Sequence, residues 1–320
     1  MTTTAPVASP VDFAAYGDYT IKAATRPDGS FERPLYRFRD RVTADGSGGS
    51  PAEPGRYHLY VSMACPWAHR SVIVRALLGL EDVVSMSVVD PMRDGRGWAF
   101  REGPGHGPDE PNGFTLLREA YEATEPGYDG HVSVPVLWDR HTRRIVSNNF
   151  PDISIDLGQA FARWARPGID LYPEDLRGDI DALNDRVYAD VNNGVYKCGF
   201  AESQGAYDAA VTTLFAALDD LEERLAGSRY LFGDRLTEAD VRLWVTLARF
   251  DTVYVTHFKA NLRRLADYPN LWRYTRDLYA NPAFGGTTHF DHIKRHYYGT
   301  HPKINPMRIV PAGPVIDWNL

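Results

Sequence analysis

The chain is short of cysteine. Its 320 residues include two, Cys65 and Cys198. Two cysteines make no disulfide framework, and this usage suits a reducing, cytoplasmic compartment. The chain also lacks any apolar run of about 18 residues, the length a spanning helix needs, so no membrane span is expected. Its start, MTTTAPVASPVDF, has neither the basic stretch nor the apolar core of a secretory signal. No Lys/Arg-rich run is present and the net charge is −7, which excludes a polyanion-binding surface and so a nucleic-acid partner. Lysine is scarce among the 35 basic residues, which reads as a high-GC base composition. Aromatic rings are abundant, with 18 Tyr and 7 Trp, enough to line a pocket or an interface. The length suits two domains.

Residues 1–55 are rich in Pro, Gly, Ser and Thr, and Gly46-Ser47-Gly48-Gly49-Ser50-Pro51 is a loop by composition. The stretch reads as an irregular extension on the body of the protein. Tyr57-His58-Leu59-Tyr60-Val61-Ser62, bounded by Pro54-Gly55, predicts a strand. A helix follows from Cys65 to Leu78, with Val72, Val74, Ala76 and Leu77 among its apolar positions. A second strand is expected at 83–89, a Gly-rich loop over 91–112 and a helix over 114–124. Strands at 132–138 and 143–147 lead to a helix over 150–163. That order predicts an α/β thioredoxin-like domain over 56–165. Beyond Pro173 the periodicity is helical, with helices at 176–192, 204–225, 237–250 and 271–279 and no internal repeat. An all-α second domain over 173–300 and a tail over 301–320 follow.

Cys65 stands where the first strand ends and the first helix begins. Pro66 fits the first helical turn, where its fixed φ and missing N–H cost nothing. Free N–H groups and the positive end of the helix dipole stabilise a thiolate there. Ala68 holds the place where a dithiol oxidoreductase has its second cysteine, so an external thiol must resolve any mixed disulfide on Cys65. Cys65 is therefore the candidate nucleophile, and Cys198 reads as structural. Val134-Pro135 places a proline inside a strand, which interrupts pairing. In a thioredoxin fold this bond is typically cis and leaves the Val134 backbone open to a thiol's cysteinyl backbone. Thr237-Glu238-Ala239-Asp240, ahead of an apolar helix, reads as a capping box and so as folding chemistry. Trp98, Tyr196 and the pair Tyr297-Tyr298 are, each taken alone, core or rim aromatics. His292 and His296 have the i, i+4 spacing of a metal pair, but no third ligand is apparent, so no metal is expected.

Along Ser62-Met63-Ala64-Cys65-Pro66-Trp67-Ala68-His69-Arg70 the chain resembles the glutathionyl-hydroquinone reductases, the Xi class of glutathione transferases. The resemblance continues through Gly97-Trp98, Val134-Pro135-Val136-Leu137-Trp138-Asp139 and Asn192-Asn193-Gly194-Val195-Tyr196-Lys197. It extends to Leu236-Thr237-Glu238-Ala239-Asp240, His292-Ile293-Lys294-Arg295-His296-Tyr297-Tyr298 and Ile304-Asn305-Pro306. It implies a thioredoxin-like domain followed by an all-α glutathione-transferase C-terminal domain. It implies reductive removal of a thiol from a thiol–hydroquinone conjugate, with a Cys65 mixed disulfide as intermediate. Tyr196 and Tyr297 match residues that face the quinone and are candidate proton donors, with Tyr298 beside them as a substrate contact. Trp98 and Arg118 match contacts to the thiol cosubstrate, and Val134, Pro135, Ser147 and Asn149 complete that candidate site. The resemblance further implies a homodimer, hydroquinone conjugates as partners and no tightly bound cofactor.

One stretch departs from the family pattern. Where the family reads Ser-Asn-Glu-Ser, this chain reads Ser147-Asn148-Asn149-Phe150. Asn149 replaces the acid that pairs with the γ-glutamyl ammonium of glutathione, and Phe150 replaces a hydroxyl donor to its carboxylate. Each lost charge-assisted bond is worth on the order of 1.5–3 kcal/mol. The cosubstrate is therefore glutathione, bound more weakly, or another thiol such as mycothiol, which has no γ-glutamyl arm. The Arg-rich composition leans toward mycothiol. An omega-like or dehalogenating thiol transferase and a non-catalytic interaction module are the alternatives. The intact Cys65-Pro66-Trp67-Ala68 motif weighs against the interaction module. A catalytic cysteine weighs against a conventional transferase that adds thiol to electrophiles, since a cysteine forms a mixed disulfide where a Ser or Tyr would only activate the thiol.

Overall fold

The structure, a computed structural model, describes residues 5–20 and 24–319. The described residues form two compact units. One holds 5–20, 35–169 and 291–302, and the other holds 24–34, 170–290 and 303–319. The division is therefore not consecutive along the chain. Part of the extension belongs with the helices because Phe31 packs against Phe200, with ring centroids 5.4 Å apart. The 291–302 stretch belongs with the sheet because His296 stacks on Trp98 at 5.0 Å.

The first unit is built on a four-stranded sheet ordered Ser85–Val88, Tyr57–Val61, Val136–Asp139, Arg144–Ser147. The first pair is parallel and the other two are antiparallel. Every residue of Tyr57–Val61 is buried, as a strand covered on both faces requires. His58 lies in this strand and bonds Ser85 Oγ at 2.7 Å and Ser87 Oγ at 2.9 Å. Burial, with Arg140 and Arg75 nearby, lowers its pKa to about 3, so it is a neutral cross-strand partner. That pairing accounts for the serines alternating through the second strand. Helices Pro66–Leu77 and Phe150–Gln159 pack against each other, with Trp67 and Phe150 at 4.5 Å. The third predicted strand starts only at Val136, beyond a cis Val134–Pro135 bond.

The long loop after Ser85–Val88 is held by buried acids. Asp94 accepts from the N–H groups of Asp12 and Arg96, both at 3.1 Å, and pairs with Arg96 at 2.7 Å. Burial raises its pKa, but the Arg96 side chain and these N–H donors outweigh burial and hold the carboxyl at about 2. Gly95 passes so close to the extension that a Cβ there would lie 2.0 Å from the Tyr16 carbonyl. Only glycine fits.

The second unit is all helical apart from the short Ala24–Thr25/Phe31–Glu32 hairpin. The predicted 176–192 helix is α-helical over Arg177–Arg186 and widens to a π-helix over Val187–Asn192. The 237–250 helix likewise runs Glu238–Arg249 before a π-helical Phe250–Tyr254. Asn192 accounts for the first widening, because its side chain donates to Arg242 O at 2.9 Å and Thr246 Oγ1 at 2.8 Å. The capping box is present, with Thr237 N donating to Asp240 Oδ2 at 2.8 Å. The C-terminal tail is anchored by Trp318, stacked on Tyr279 at 4.5 Å and on Phe290 at 5.4 Å.

Asp109 is buried beside Tyr60, and burial pushes its pKa up to about 6 against the lowering effect of the Phe114 N–H. A folded-state pKa above the ordinary 3.8 gives a contribution that is complete below that value and is lost as pH rises through about 6. Asp109→Asn is expected to abolish that loss, worth about 2–3 kcal/mol at neutral pH. Thermal melts of both proteins from pH 4 to 8 check this, and parallel curves would contradict it.

Candidate active site

Cys65 occupies the N-cap of Pro66–Leu77 with an extended backbone, φ −78° and ψ 119°. Its Sγ lies 3.5 Å from the Val134 carbonyl, to which the thiol donates. The structure thus brings together the cysteine and the residue before the proline. Ala68, fully buried within the first turns, supplies no second sulfur. Cys198 is buried in the other unit, and burial pushes its thiol up to about 12. It stays protonated and unreactive at neutral pH.

Val134 is positioned through Ser133. The Tyr121 hydroxyl accepts from Ser133 N at 3.1 Å and donates to Ser133 O at 2.8 Å. Asn148 donates to the same hydroxyl at 3.3 Å, and its Oδ1 accepts from Phe38 N at 3.2 Å. Burial raises the Tyr121 pKa well above the usual phenol value, so the hydroxyl keeps its proton.

Trp98 is buried with His296 on one face and the Arg93 guanidinium, at 4.3 Å, over its ring. Arg93 lies equally close, 4.3 Å, to the Tyr19 ring. Tyr19 Oη in turn is 2.9 Å from His131 Nδ1 and 3.4 Å from Val132 O. A stack of rings and one cation therefore links Trp98 to the segment that enters Val134. Sequence reasoning missed Arg93 and Tyr19. Arg93 had a signal, a charged residue in the loop that carries Trp98, whereas Tyr19 sits 112 residues from His131 and had none.

Arg118 is exposed and pairs with Glu122 at 3.2 Å, while donating to Tyr128 O at 3.3 Å. Tyr297 and Tyr298 are buried on the Phe290–Thr300 helix of the first unit. The Tyr297 ring meets His296 and His301 edge-on at 5.5 and 5.6 Å. His292 Nε2 and His296 Nδ1 donate to the carbonyls of Pro104 and Pro91 at 2.6 and 2.7 Å, so the pair ties this helix to the loop. Tyr196 is buried in the second unit.

Ser147 Oγ donates to Phe38 O at 3.4 Å and accepts from Asn149 N at 3.1 Å. Asn149 N-caps Phe150–Gln159 by position, but its amide donates to Asp152 Oδ2 at 2.6 Å. Arg41 stands 3.5 Å from the same carboxylate. Phe150 turns into the core, edge-on to Tyr36 at 5.3 Å and with the Arg70 guanidinium 5.0 Å over its ring. Neither side chain offers the acid or the hydroxyl of the family pattern.

A family model for the glutathione S-transferase C-terminal domain matches residues 204–277. The chain is 48% identical over 296 residues to the glutathionyl-hydroquinone reductase YqjG of Escherichia coli K12, covering 90% of each. It is similar to the glutathione-bound structure of YqjG with a TM-score of 0.86, over 89% of this chain and 94% of that one at 48% identity. Similarity to the Xi glutathione transferase of Phanerochaete chrysosporium reaches a TM-score of 0.90 at 50% identity, over 95% and 98% of the two chains. By fold the protein is a glutathione transferase: a thioredoxin-like α/β domain followed by an all-α domain. Within that superfamily it belongs to the Xi class, the glutathionyl-hydroquinone reductases.

The two thiols differ enough to be told apart chemically. Brief iodoacetamide treatment of the folded protein at pH 7 is expected to add one label, on Cys65. Intact mass should show one adduct on the wild type and none on Cys65→Ser; a label on Cys198 would refute the assignment.

Proposed function

We propose that the protein is a thiol-dependent reductase that frees hydroquinones from their thiol conjugates. The observation that carries this reading is Cys65 at a helix N-terminus, 3.5 Å from the Val134 carbonyl, with alanine at position 68. The Cys65 thiolate attacks the sulfur of the conjugate and forms a disulfide with it. The carbon–sulfur bond breaks, its electron pair goes to the ring carbon, and that carbon takes a proton from Tyr196 or Tyr297. A second thiol loses its proton to the phenolate and attacks the mixed disulfide, which releases a low-molecular-weight disulfide and regenerates Cys65. The ring is reduced by two electrons and the two thiol sulfurs are oxidised. Trp98, Val134, Pro135, Ser147, Asn149 and Arg118 are assigned to the thiol cosubstrate and Tyr298 to the hydroquinone.

The cosubstrate is a low-molecular-weight thiol with no tightly bound cofactor beside it. Glutathione is supported by the relative whose structure contains it. Mycothiol is favoured by one observation: Asn149 is committed to Asp152 and Phe150 to the core, so a γ-glutamyl arm lacks its family partners there. We further assign the protein to the cytoplasm as a homodimer. The scarcity of cysteine supports the compartment, and among the described residues no helix is long and apolar enough to cross a membrane.

Incubation with glutathione disulfide or mycothiol disulfide, followed by intact mass, tests both levels. A Cys65 adduct is expected at lower concentration with mycothiol disulfide. Preference for glutathione disulfide would assign glutathione, and no adduct with either would remove the reductase reading. Cys65→Ser is expected to reduce turnover of a glutathionyl-hydroquinone by at least about 10³-fold, the loss typical of a missing nucleophile.

A further inference from the structure

The N-terminal hairpin of the second unit carries a cation to the face of a tyrosine. Thr25 pairs with Phe31 across its turn, and the turn is fastened to the start of the Gln204–Arg224 helix. Glu202 N donates to Gly29 O at 2.9 Å, and Ser203 Oγ donates to Asp28 O at 2.7 Å. Gly29 has φ +86°, and a Cβ on it would lie 2.9 Å from Ser203, so the fastening needs glycine. Phe31 then packs on Phe200, and half-buried Arg33 reaches over the Tyr196 ring with its guanidinium carbon 4.7 Å from the centroid. Arg33 Nε donates to Asn193 Oδ1 at 3.0 Å, which fixes the fork in that place. Asn193 belongs to the same Asn192-Asn193-Gly194-Val195-Tyr196 run as the tyrosine. Rings on Tyr196 include Phe200, Tyr254 and Phe258, at 6.1, 6.1 and 5.3 Å. Lys197, on the same helix, donates to Ala189 O at 2.9 Å. His257, stacked on Phe258, is kept neutral by burial, with its pKa lowered to about 4.

We infer that Arg33 is a positioning residue for the reaction, a guanidinium clamped on Tyr196 that makes its phenol a stronger proton donor to the departing hydroquinone. This rests on the reading of Tyr196 as proton donor given above. A cation on the face of a phenol stabilises the phenolate that remains when the proton leaves, and it does so most where water is excluded. The effect is specific to proton transfer: it grows as the leaving ring holds charge less well, and it leaves thiol binding alone.

The test is single-turnover release of hydroquinone by the full-length protein. Two conjugates are compared, one of unsubstituted hydroquinone and one of a chlorinated hydroquinone. Arg33→Met is expected to slow the first about five- to tenfold and the second about twofold or less, with KM unchanged. Arg33→Lys should recover most of the loss, and circular dichroism with a thermal melt checks that each variant is folded. In a Tyr196→Phe background, Arg33→Met should cost nothing further. An equal loss for both conjugates, a change in KM alone, or an undiminished loss in the Tyr196→Phe background overturns the inference. If Tyr196→Phe is impaired and Arg33→Met is harmless, the inference fails while the reading of Tyr196 stands. If Tyr196→Phe is itself fully active, the two fall together.

Discussion

The 3.5 Å contact between the Cys65 sulfur and the Val134 carbonyl governs what the rest of the first unit must do. The two residues are 69 apart in sequence, and the pairing of Tyr57–Val61 with Val136–Asp139 brings their segments level. Both lie just outside the strands, in connections that would drift by more than chemistry tolerates unless fastened. Cys65 is fastened by its own N–H, which donates to Ser62 O at 3.0 Å. Val134 is fastened through Ser133, whose backbone donor and acceptor both meet the Tyr121 hydroxyl. A phenol serves because a single oxygen can accept and donate at once, and burial keeps its proton in place.

The same logic explains the length of the extension. Its early part reaches the loop that carries Trp98. There Asp12 N donates to Asp94, and Ala8 N donates to Phe100 O at 2.8 Å. Its later part carries Arg33 to the second unit. The composition of residues 1–55 says loop, and correctly so for most of the stretch. It does not say which side chains the loop delivers, because those contacts span scores of residues and leave no periodic trace. The strand–Cys65–helix corner, the capping box and the helical second half were legible because each is local: one motif, one cap, one periodicity. The place of Arg93 between Trp98 and Tyr19 was not, since a cation between two rings exists only after folding, and the loop position of Arg93 was its one trace in the sequence. The π-helical turn at Val187–Asn192 was hidden as well, because it goes with Asn192 reaching across to Arg242 and Thr246 and not with the spacing of apolar residues.

Positions 149 and 150 show how one departure in sequence divides into two physical changes. Loss of the hydroxyl at 150 is offset by packing, since the ring fills the space between two helices against Trp67, Tyr36 and Arg70. Loss of the acid at 149 is not a plain removal of negative charge. Asp152 stands within hydrogen-bond reach of the replacement amide and beside Arg41. This carboxylate, one turn along the helix, already has partners within the protein. On the proposed reading, an ammonium bound there would compete with the Asn149 amide and the Arg41 guanidinium for Asp152, whereas a neutral sugar hydroxyl would share with them.

The two tyrosines assigned to the hydroquinone are not equivalent, and their surroundings separate them. Tyr297 meets the edges of His296 and His301, and His296 gives its Nδ1 proton to the Pro91 carbonyl. Such rings fix the direction of a phenol without altering its charge balance much. Tyr196 meets a permanent cation and neutral rings. A guanidinium cannot lose its proton at working pH, so its pull on the phenolate is constant. Two like residues in unlike environments can divide a reaction between them. On the proposed mechanism the guanidinium on its face favours Tyr196 as the proton donor.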